Sequence, residues 1–214
     1  MRFDILTIFP HIFDSYLQES ILKRAQAKKL ITIKTHDLRA WARDKHKKVD
    51  DTPYSGGPGM IFKVEPIVRA LGDIVCEAKK KIVLFDPAGK QFTHARARRY
   101  AKLDQLILVC GRYEGFDDRV KAYVDESVSI GPYVLSGGEL PAMVVVEAVA
   151  RLRAGVLGNA ESLVQETHFV EGYVEYPQYT RPEVFDGHHV PEVLLQGDHK
   201  KIAEWKKRHT KKGR

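Results

Sequence analysis

The stretch Leu106-Ile107-Leu108-Val109-Cys110-Gly111-Arg112-Tyr113-Glu114-Gly115 sets an unbroken apolar run directly before a glycine-bearing polar turn. A short run apolar at every position reads as a strand buried on both faces, which is how strands of a helix-covered parallel sheet read. Ile82-Val83-Leu84-Phe85 repeats the pattern and ends in Asp86-Pro87-Ala88-Gly89. Working outward, Phe3 to Phe9, Ile31 to His36 and Ser127 to Ile130 read as further strands. Apolar residues at helical spacing (Phe13, Tyr16, Leu17, Ile21, Leu22, Ala25) predict one helix over Phe13 to Lys29. Glu65-Pro66 opens another helix, with Pro66 suited to its first position. Thr93 and Asp117 are placed to cap helices. Gly137-Gly138-Glu139-Leu140-Pro141 enters a long helix expected to reach Arg153. Asp50 to Gly59 is expected to be loop. Strands alternating with helices make the fold class α/β with a mostly parallel sheet.

The composition changes after Gly158. The expected organisation is a catalytic domain over 1–158, a linker over 159–172 and a small helical domain over 173–214. In that last part no strand is expected, and Glu192 to Leu195 and Lys200 to Arg208 are the helical pieces. Hydrophobic residues make up 43% and charged residues 29%, so a packed core is expected and disorder is not. The formal net charge of +7 favours a polyanionic partner. Two cysteines, Cys76 and Cys110, make neither a disulfide framework nor a zinc site. Cys110 reads as a small buried hydrophobe. With no apolar stretch near the ~20 residues of a membrane span and no signal-peptide pattern, a cytoplasmic location without a membrane partner is expected.

Three glycine-bearing loops follow strands: Asp86 to Gly89, Gly111 to Gly115, and Gly131 to Gly138. Ligands of open parallel sheets bind at the carboxyl ends of strands, and glycine lets backbone groups approach them. Three such loops at one sheet edge predict a cofactor cleft. None matches the dinucleotide or P-loop fingerprints, and neither does Gly57-Pro58-Gly59.

Longer motifs sharpen this reading. Gly111-Arg112-Tyr113-Glu114-Gly115-Phe116-Asp117-Asp118-Arg119 resembles a signature of the bacterial tRNA (guanine-N1)-methyltransferase family, TrmD. So do the run Ser129 to Ala142, Tyr54 to Met60, Gly155-Val156-Leu157-Gly158-Asn159 and Tyr176 to Pro182, in the same order. The resemblance runs from Phe3 to about Trp205. It implies the SPOUT fold, whose sheet ends in a deep C-terminal trefoil knot, a small helical C-terminal domain that binds tRNA, and a homodimer with shared active sites. The implied reaction is methyl transfer from S-adenosyl-L-methionine (AdoMet) to N1 of the guanosine just 3′ of the anticodon. Mg²⁺ dependence is implied too, although the sequence shows no ligand cluster.

By position, the resemblance assigns the cofactor to Phe85, Asp86, Pro87, Gly111, Tyr113, Glu114, Ile130, Gly131, Pro132, Tyr133, Val134, Leu135, Gly137, Gly138 and Pro141. Guanine N1 must lose a proton to attack a methyl carbon, and a carboxylate can accept it. The family's linker base falls on Glu166 when counted from Gly158, with His168 as the competing base. Counting back from Tyr176-Pro177 puts Thr167 there instead. Arg151 matches the family's catalytic arginine, set to stabilise charge on guanine O6; Arg153 reads as an ordinary cation. This chain departs from the family at Glu166-Thr167-His168, where an Asp-Ser pair is usual, and at Pro132, where an acid is common.

Basic clusters at Arg39 to Lys48, at Arg96, Arg98, Arg99 and Lys102, and from His199 to Arg214 are candidates for phosphate contacts. Trp41 and Trp205 are candidates for stacking on an unpaired base. Family members usually extend tens of residues further, so the dense basic tail is expected to compensate. Its deletion should weaken tRNA binding and leave AdoMet binding intact. Two rivals stand beside this reading: a SPOUT methyltransferase with another RNA target, and an RNA-binding protein that has lost catalysis.

Overall fold

The computed structural model describes residues 1–159, 166–168 and 170–211. Residues 160–165 and 169 of the expected linker, and 212–214 of the basic tail, lie outside them. The chain runs β1 (Arg2–Thr7), α1 (Asp14–Leu17), α2 (Ser20–Ala27), β2 (Thr32–Asp37), β3 (Asp50–Asp51), β4 (Ile61–Phe62), α3 (Val64–Ile74), β5 (Lys80–Gln91), α4 (His94–Tyr100), β6 (Gln105–Val109), β7 (Glu126–Ser129) and α5 (Glu139–Ala150). Then follow β8 (Val184–Phe185), β9 (His188–His189) and α6 (His199–His209). Contacts divide the chain into two compact units, Met1–Gly158 and Asn159–Arg214.

In the first unit five strands form one sheet in the order β2-β1-β6-β5-β7, and every neighbouring pair is parallel. Strand β6 explains why helices cover both faces. Side chains alternate across a strand, and here both sets are buried. Leu106, Leu108 and Cys110 pack with residues of α1, α2, α4 and α5, including Leu17, Leu22, Tyr100 and Val145. Ile107 and Val109 pack on the other face with Ile67, Leu71 and Ile74 of α3. Full burial of each such side chain contributes about 1.5–3 kcal/mol.

Several local expectations change. The segment 13–29 holds two helices, with Ser20, the first residue of the second, at φ +49°. Asp50–Asp51 is not plain loop but pairs antiparallel with Ile61–Phe62. Pro66 is the third residue of α3, still within the first turn where no amide donor is needed. Strand β5 does not stop at Phe85. It rejoins β7 at Lys90 after a register shift, so Asp86 to Gly89 is an irregularity within a strand. Helix α5 ends at Ala150, short of Arg153. Thr93 and Asp117 do cap: each side chain accepts a backbone N–H, from Arg96 at 3.3 Å and from Arg119 at 3.0 Å.

Asp4 carries the main polar network of this core. Its side chain is fully buried; Oδ1 accepts from Arg2 Nη2 and faces His36 Nε2, both at 2.7 Å. Oδ2 accepts from Gln105 Nε2 at 2.7 Å. Burial pushes the Asp4 carboxyl up, but hydrogen bonds from His36, Arg2 and Gln105 outweigh it and hold the group below the usual carboxylate range. Its folded-state value is thus lower than its unfolded one. The stability it contributes is complete above the unfolded value, near 3.8, and is lost as pH falls through the folded one. Asp4→Asn is expected to cost about 3 kcal/mol at pH 7. Urea midpoints from pH 7 to pH 3 should show that gap narrowing below about pH 4. An unchanged midpoint at pH 7 would remove the network from the account.

The second unit holds a strand pair where none was expected. Strands β8 and β9 form a hairpin closed by Asp186 and Gly187, both at positive φ. Such Asp-Gly turns match strand twist. Asp198 caps α6 by accepting from Lys200 N and Lys201 N. Trp205 is buried, stacked on His209 at 4.1 Å between centroids and edge-on to Tyr176 and Tyr179.

Candidate functional site

The irregularity of β5 and the carboxyl ends of β6 and β7 open into a cavity of about 310 Å³, near the lower end of small-molecule sites. All three expected loops line it. Phe85, Asp86, Pro87, Gly111, Tyr113, Glu114, Ile130, Tyr133, Val134, Leu135, Gly137, Gly138 and Pro141 face the cavity. Gly131 and Pro132 are not among the lining residues; the Tyr133 ring lies where a Gly131 side chain would project, and Pro132 is exposed. Arg112, Phe116, Asp117, Asp118, Lys121, Ser129 and Ser136 line it too, although none of them was assigned to the cofactor.

Close backbone packing shapes the floor. The Gly138 N–H donates to Gly111 O at 2.8 Å. A Cβ on Gly138 would stand 2.7 Å from Cys110 Cα and 2.9 Å from Gly111 N. Only glycine lets these two loops meet. The turn that follows β6 holds Tyr113 at φ +59°, a conformation that side-chain-bearing residues seldom adopt without surrounding constraint. The constraint is visible: Glu114 N donates to Met60 O, and Phe62 N donates to Gly115 O. Phe62 also packs against Tyr113 and Phe116. The Tyr54–Met60 segment is therefore laced to the cleft wall.

Asp86, Glu114, Asp117 and Asp118 give the cleft an acidic lining, opposed by Arg112 and Lys121. Lys121 pairs with Asp118 at 2.5 Å, which raises its pKa. The Arg119 guanidinium holds the Asp117 carboxyl below its ordinary value. Burial, then the charge of Glu139, pushes the Cys110 thiol well up. A thiol held protonated is a poor nucleophile, in keeping with its reading as a buried hydrophobe. Glycine loops that bring backbone donors and acceptors to an apolar cavity suit an adenine and ribose. Carboxylates at its rim suit a sulfonium cation. The residues present fit AdoMet.

The expected catalytic pair divides between the two units. Arg151 follows α5 as its C-cap, partly exposed, and does not line the cavity. Arg153 donates to Ala101 O at 2.6 Å, a structural tie. Glu166 belongs to the second unit and is partly buried. Beside it, Thr167 Oγ1 accepts from Glu175 N, and the exposed His168 sits at φ +70° with its N–H donating to Tyr173 O. Among the described residues no group of three or more His, Cys, Asp or Glu is placed to hold a metal ion. Among them, too, no helix is long and apolar enough to cross a membrane.

The nucleic-acid candidates sort differently from expectation. Trp205 is core of the second unit and offers no face to a base. Trp41 donates its Nε1–H to Asp73. Arg96 is buried and paired with Glu126, which also takes Tyr100 and Lys81, so it holds α4 to β7. Arg98, Arg99 and Lys102 stay exposed. Residues 1–158 hold 26 Lys and Arg against 19 Asp and Glu, whereas 159–214 hold nine of each. The net charge therefore resides in the first unit, and α6 is a basic helix within a neutral unit.

Comparison with known proteins places this geometry. The family model for tRNA (Guanine-1)-methyltransferase TrmD matches residues 1–214. The tRNA (guanine-N(1)-)-methyltransferase of Chloroflexus aggregans is 53% identical over 210 residues, covering 97% of this chain and 82% of its own. That of Thermomicrobium roseum is 51% identical over 210 residues, covering 97% and 78%. That of Geotalea uraniireducens is 50% identical over 212 residues, covering 98% and 85%. With the motifs of 111–119 and 129–142 at one cleft and the match running end to end, the chain belongs to the tRNA (guanine-1)-methyltransferase family TrmD.

Proposed function

We propose that the chain transfers the methyl group of AdoMet to N1 of the guanosine immediately 3′ of the anticodon in tRNA. The observation that carries this reading is the cleft: three glycine loops at one sheet edge, inside a chain matched from end to end by the family. AdoMet supplies an electrophilic methyl carbon on a sulfonium. Backbone groups around Gly111, Tyr133 to Leu135, Gly137 and Gly138 would hold its adenosine part, and Asp86 and Glu114 would face its charge. Glu166 would take the N1 proton as the methyl carbon leaves sulfur for N1 and S-adenosylhomocysteine is released, with His168 next in line. Arg151 stabilises the negative charge that spreads to O6. Methyl transfer to unmodified tRNA, compared with tRNA carrying adenosine at the target position, tests this. Incorporation only with guanosine is expected; equal incorporation would favour another RNA target. AdoMet binding with no transfer would favour a protein that has lost catalysis.

We propose a homodimer. Ile12, Tyr16, Leu140 and Val144 are exposed apolar residues on the Pro10–Phe13 turn, α1 and α5. A cluster of this kind marks an interface. Leu140→Asp is expected to convert the dimer to monomer in sedimentation; an unchanged sedimentation coefficient would place the interface elsewhere. The trefoil knot implied for the C-terminal part of the sheet is also proposed.

For tRNA contact, α6 remains a candidate through Lys200, Lys207 and Arg208, all exposed. Deleting residues 199–214 is a poor test, because it removes Trp205 from the core of its unit. Replacing the three cations with alanine is expected to weaken tRNA binding and reduce the slope of log K against log salt by about 2–3. AdoMet affinity should stay constant. An unchanged slope would exclude α6 as a phosphate contact. A cytoplasmic location follows from the proposed substrate.

A further inference from the structure

One carboxylate beneath the cleft has no part in the chemistry above. Glu139, the first residue of α5, is 1% exposed. Its Oε1 accepts from Thr7 Oγ1 at 2.8 Å, and its Oε2 accepts from Arg112 Nε at 3.0 Å. Thr7 Oγ1 in turn accepts from Phe9 N at 2.9 Å, fixing the hydroxyl to donate toward Glu139. The Arg112 guanidinium carbon stands 4.7 Å from the Phe9 ring centroid. The missing side chain of Gly137 leaves the space that Arg112 Nε and Glu139 Oε2 occupy. Arg112 is thus gripped at Nε and laid on an aromatic face while it lines the cavity. Nε takes the buried carboxylate, so the outer Nη edge is the part left for a ligand.

We infer that Glu139, with Thr7, is a positioning residue that locks Arg112 as the oxyanion-binding group of this cleft. A flexible arginine loses side-chain entropy on binding; one already fixed loses less. A guanidinium edge of this kind takes a carboxylate or a phosphate in the same fork. Two sources offer that oxyanion: the methionyl carboxylate of the methyl donor, and an RNA phosphate. The inference rests on the AdoMet and tRNA reading above.

The test uses the full chain and measures binding by calorimetry, with thermal unfolding alongside. Glu139→Gln keeps shape and one acceptor but loses the charge. Thr7→Val leaves Glu139 in place and removes one donor, so it serves if Glu139→Gln folds poorly. The probes are S-adenosylhomocysteine, 5′-methylthioadenosine, which lacks the carboxylate, and unmodified tRNA. If the carboxylate is the ligand, both variants weaken S-adenosylhomocysteine about 10-fold, the scale of lost positioning partners, and leave 5′-methylthioadenosine unchanged. If a phosphate is the ligand, only tRNA weakens, with a reduced salt slope. In either case Glu139→Gln adds no further loss in the Arg112→Ala background, since Glu139 acts only through Arg112. Fully additive losses, or well-folded variants with all three affinities unchanged, overturn the positioning role. Failure of the wild type to bind any probe would instead overturn the AdoMet and tRNA reading itself.

Discussion

Replacing Glu166 with glutamine is expected to lower the rate of methyl transfer about 10²–10⁴-fold, the range that a positioned general base supplies. Guanine N1 holds its proton near neutral pH, and a neutral amide cannot take it. AdoMet affinity should be unaffected, because the role given to Glu166 concerns the acceptor's proton and not the methyl donor. The effect should fall on single-turnover chemistry. His168→Gln is the control, expected to change the rate far less. The opposite ranking would move the base two positions along and revise the register of the linker.

Gly138→Ala is expected to have the second large effect. Its φ of −83° is ordinary, so backbone strain is not the reason. The reason is space: the new methyl would press on Cys110 Cα and Gly111 N, which are backbone and cannot swing aside. Overpacking of this kind costs about 1–3 kcal/mol, and it also pushes apart two loops of the cleft. S-adenosylhomocysteine affinity should fall about 10–100-fold on that scale, with a lowered unfolding midpoint. Gly56→Ala makes the contrast. Nothing lies within 4 Å of a Cβ there, although its φ of +71° carries a local backbone penalty. Its midpoint should drop modestly and its ligand affinity should hold. Equal affinities in the two variants would mean that the Gly138–Gly111 contact does not shape the site.

The central sheet was legible because residues 106–109 of β6 and 82–85 of β5 are apolar at every position. Leu106 to Val109 admits no reading with one face in water, and the structure buries both faces. The cleft was legible because glycine-bearing turns interrupt or follow the strands at one end of the sheet. What escaped was local geometry that period cannot encode. Apolar spacing continues through 13–29, so the break marked by Ser20 leaves no trace in it. Asp86-Pro87-Ala88-Gly89 looks like an end, and only pairing with β7 shows that β5 resumes at Lys90. The β8–β9 hairpin did carry a signal, Asp186-Gly187, but two-residue strands are too short to show alternation.

Charge misled in two places. A run of lysines and arginines marked the tail, yet the acids of 166–198 balance it within its own unit. Arg96 counted toward a basic surface, but it is a buried partner of Glu126. Arg112 and Glu139 went unnoticed for a related reason. Both stood inside quoted motifs, and neither was given a role of its own. Only the fold brings Thr7, Phe9, Arg112 and Glu139 together, across 132 positions between the first and the last. The linker remains the least legible part, since neither apolar period nor turn chemistry fixes which of Glu166, Thr167 and His168 takes the proton.

The most direct test of the central claim is to map the methyl group. Unmodified tRNA would be incubated with the purified chain and AdoMet, digested with nuclease and read by mass spectrometry. One N1-methylguanosine, in the fragment carrying the nucleotide 3′ of the anticodon, is the predicted result. A methyl group on another nucleotide, on a ribose hydroxyl, or on no nucleotide at all would contradict it.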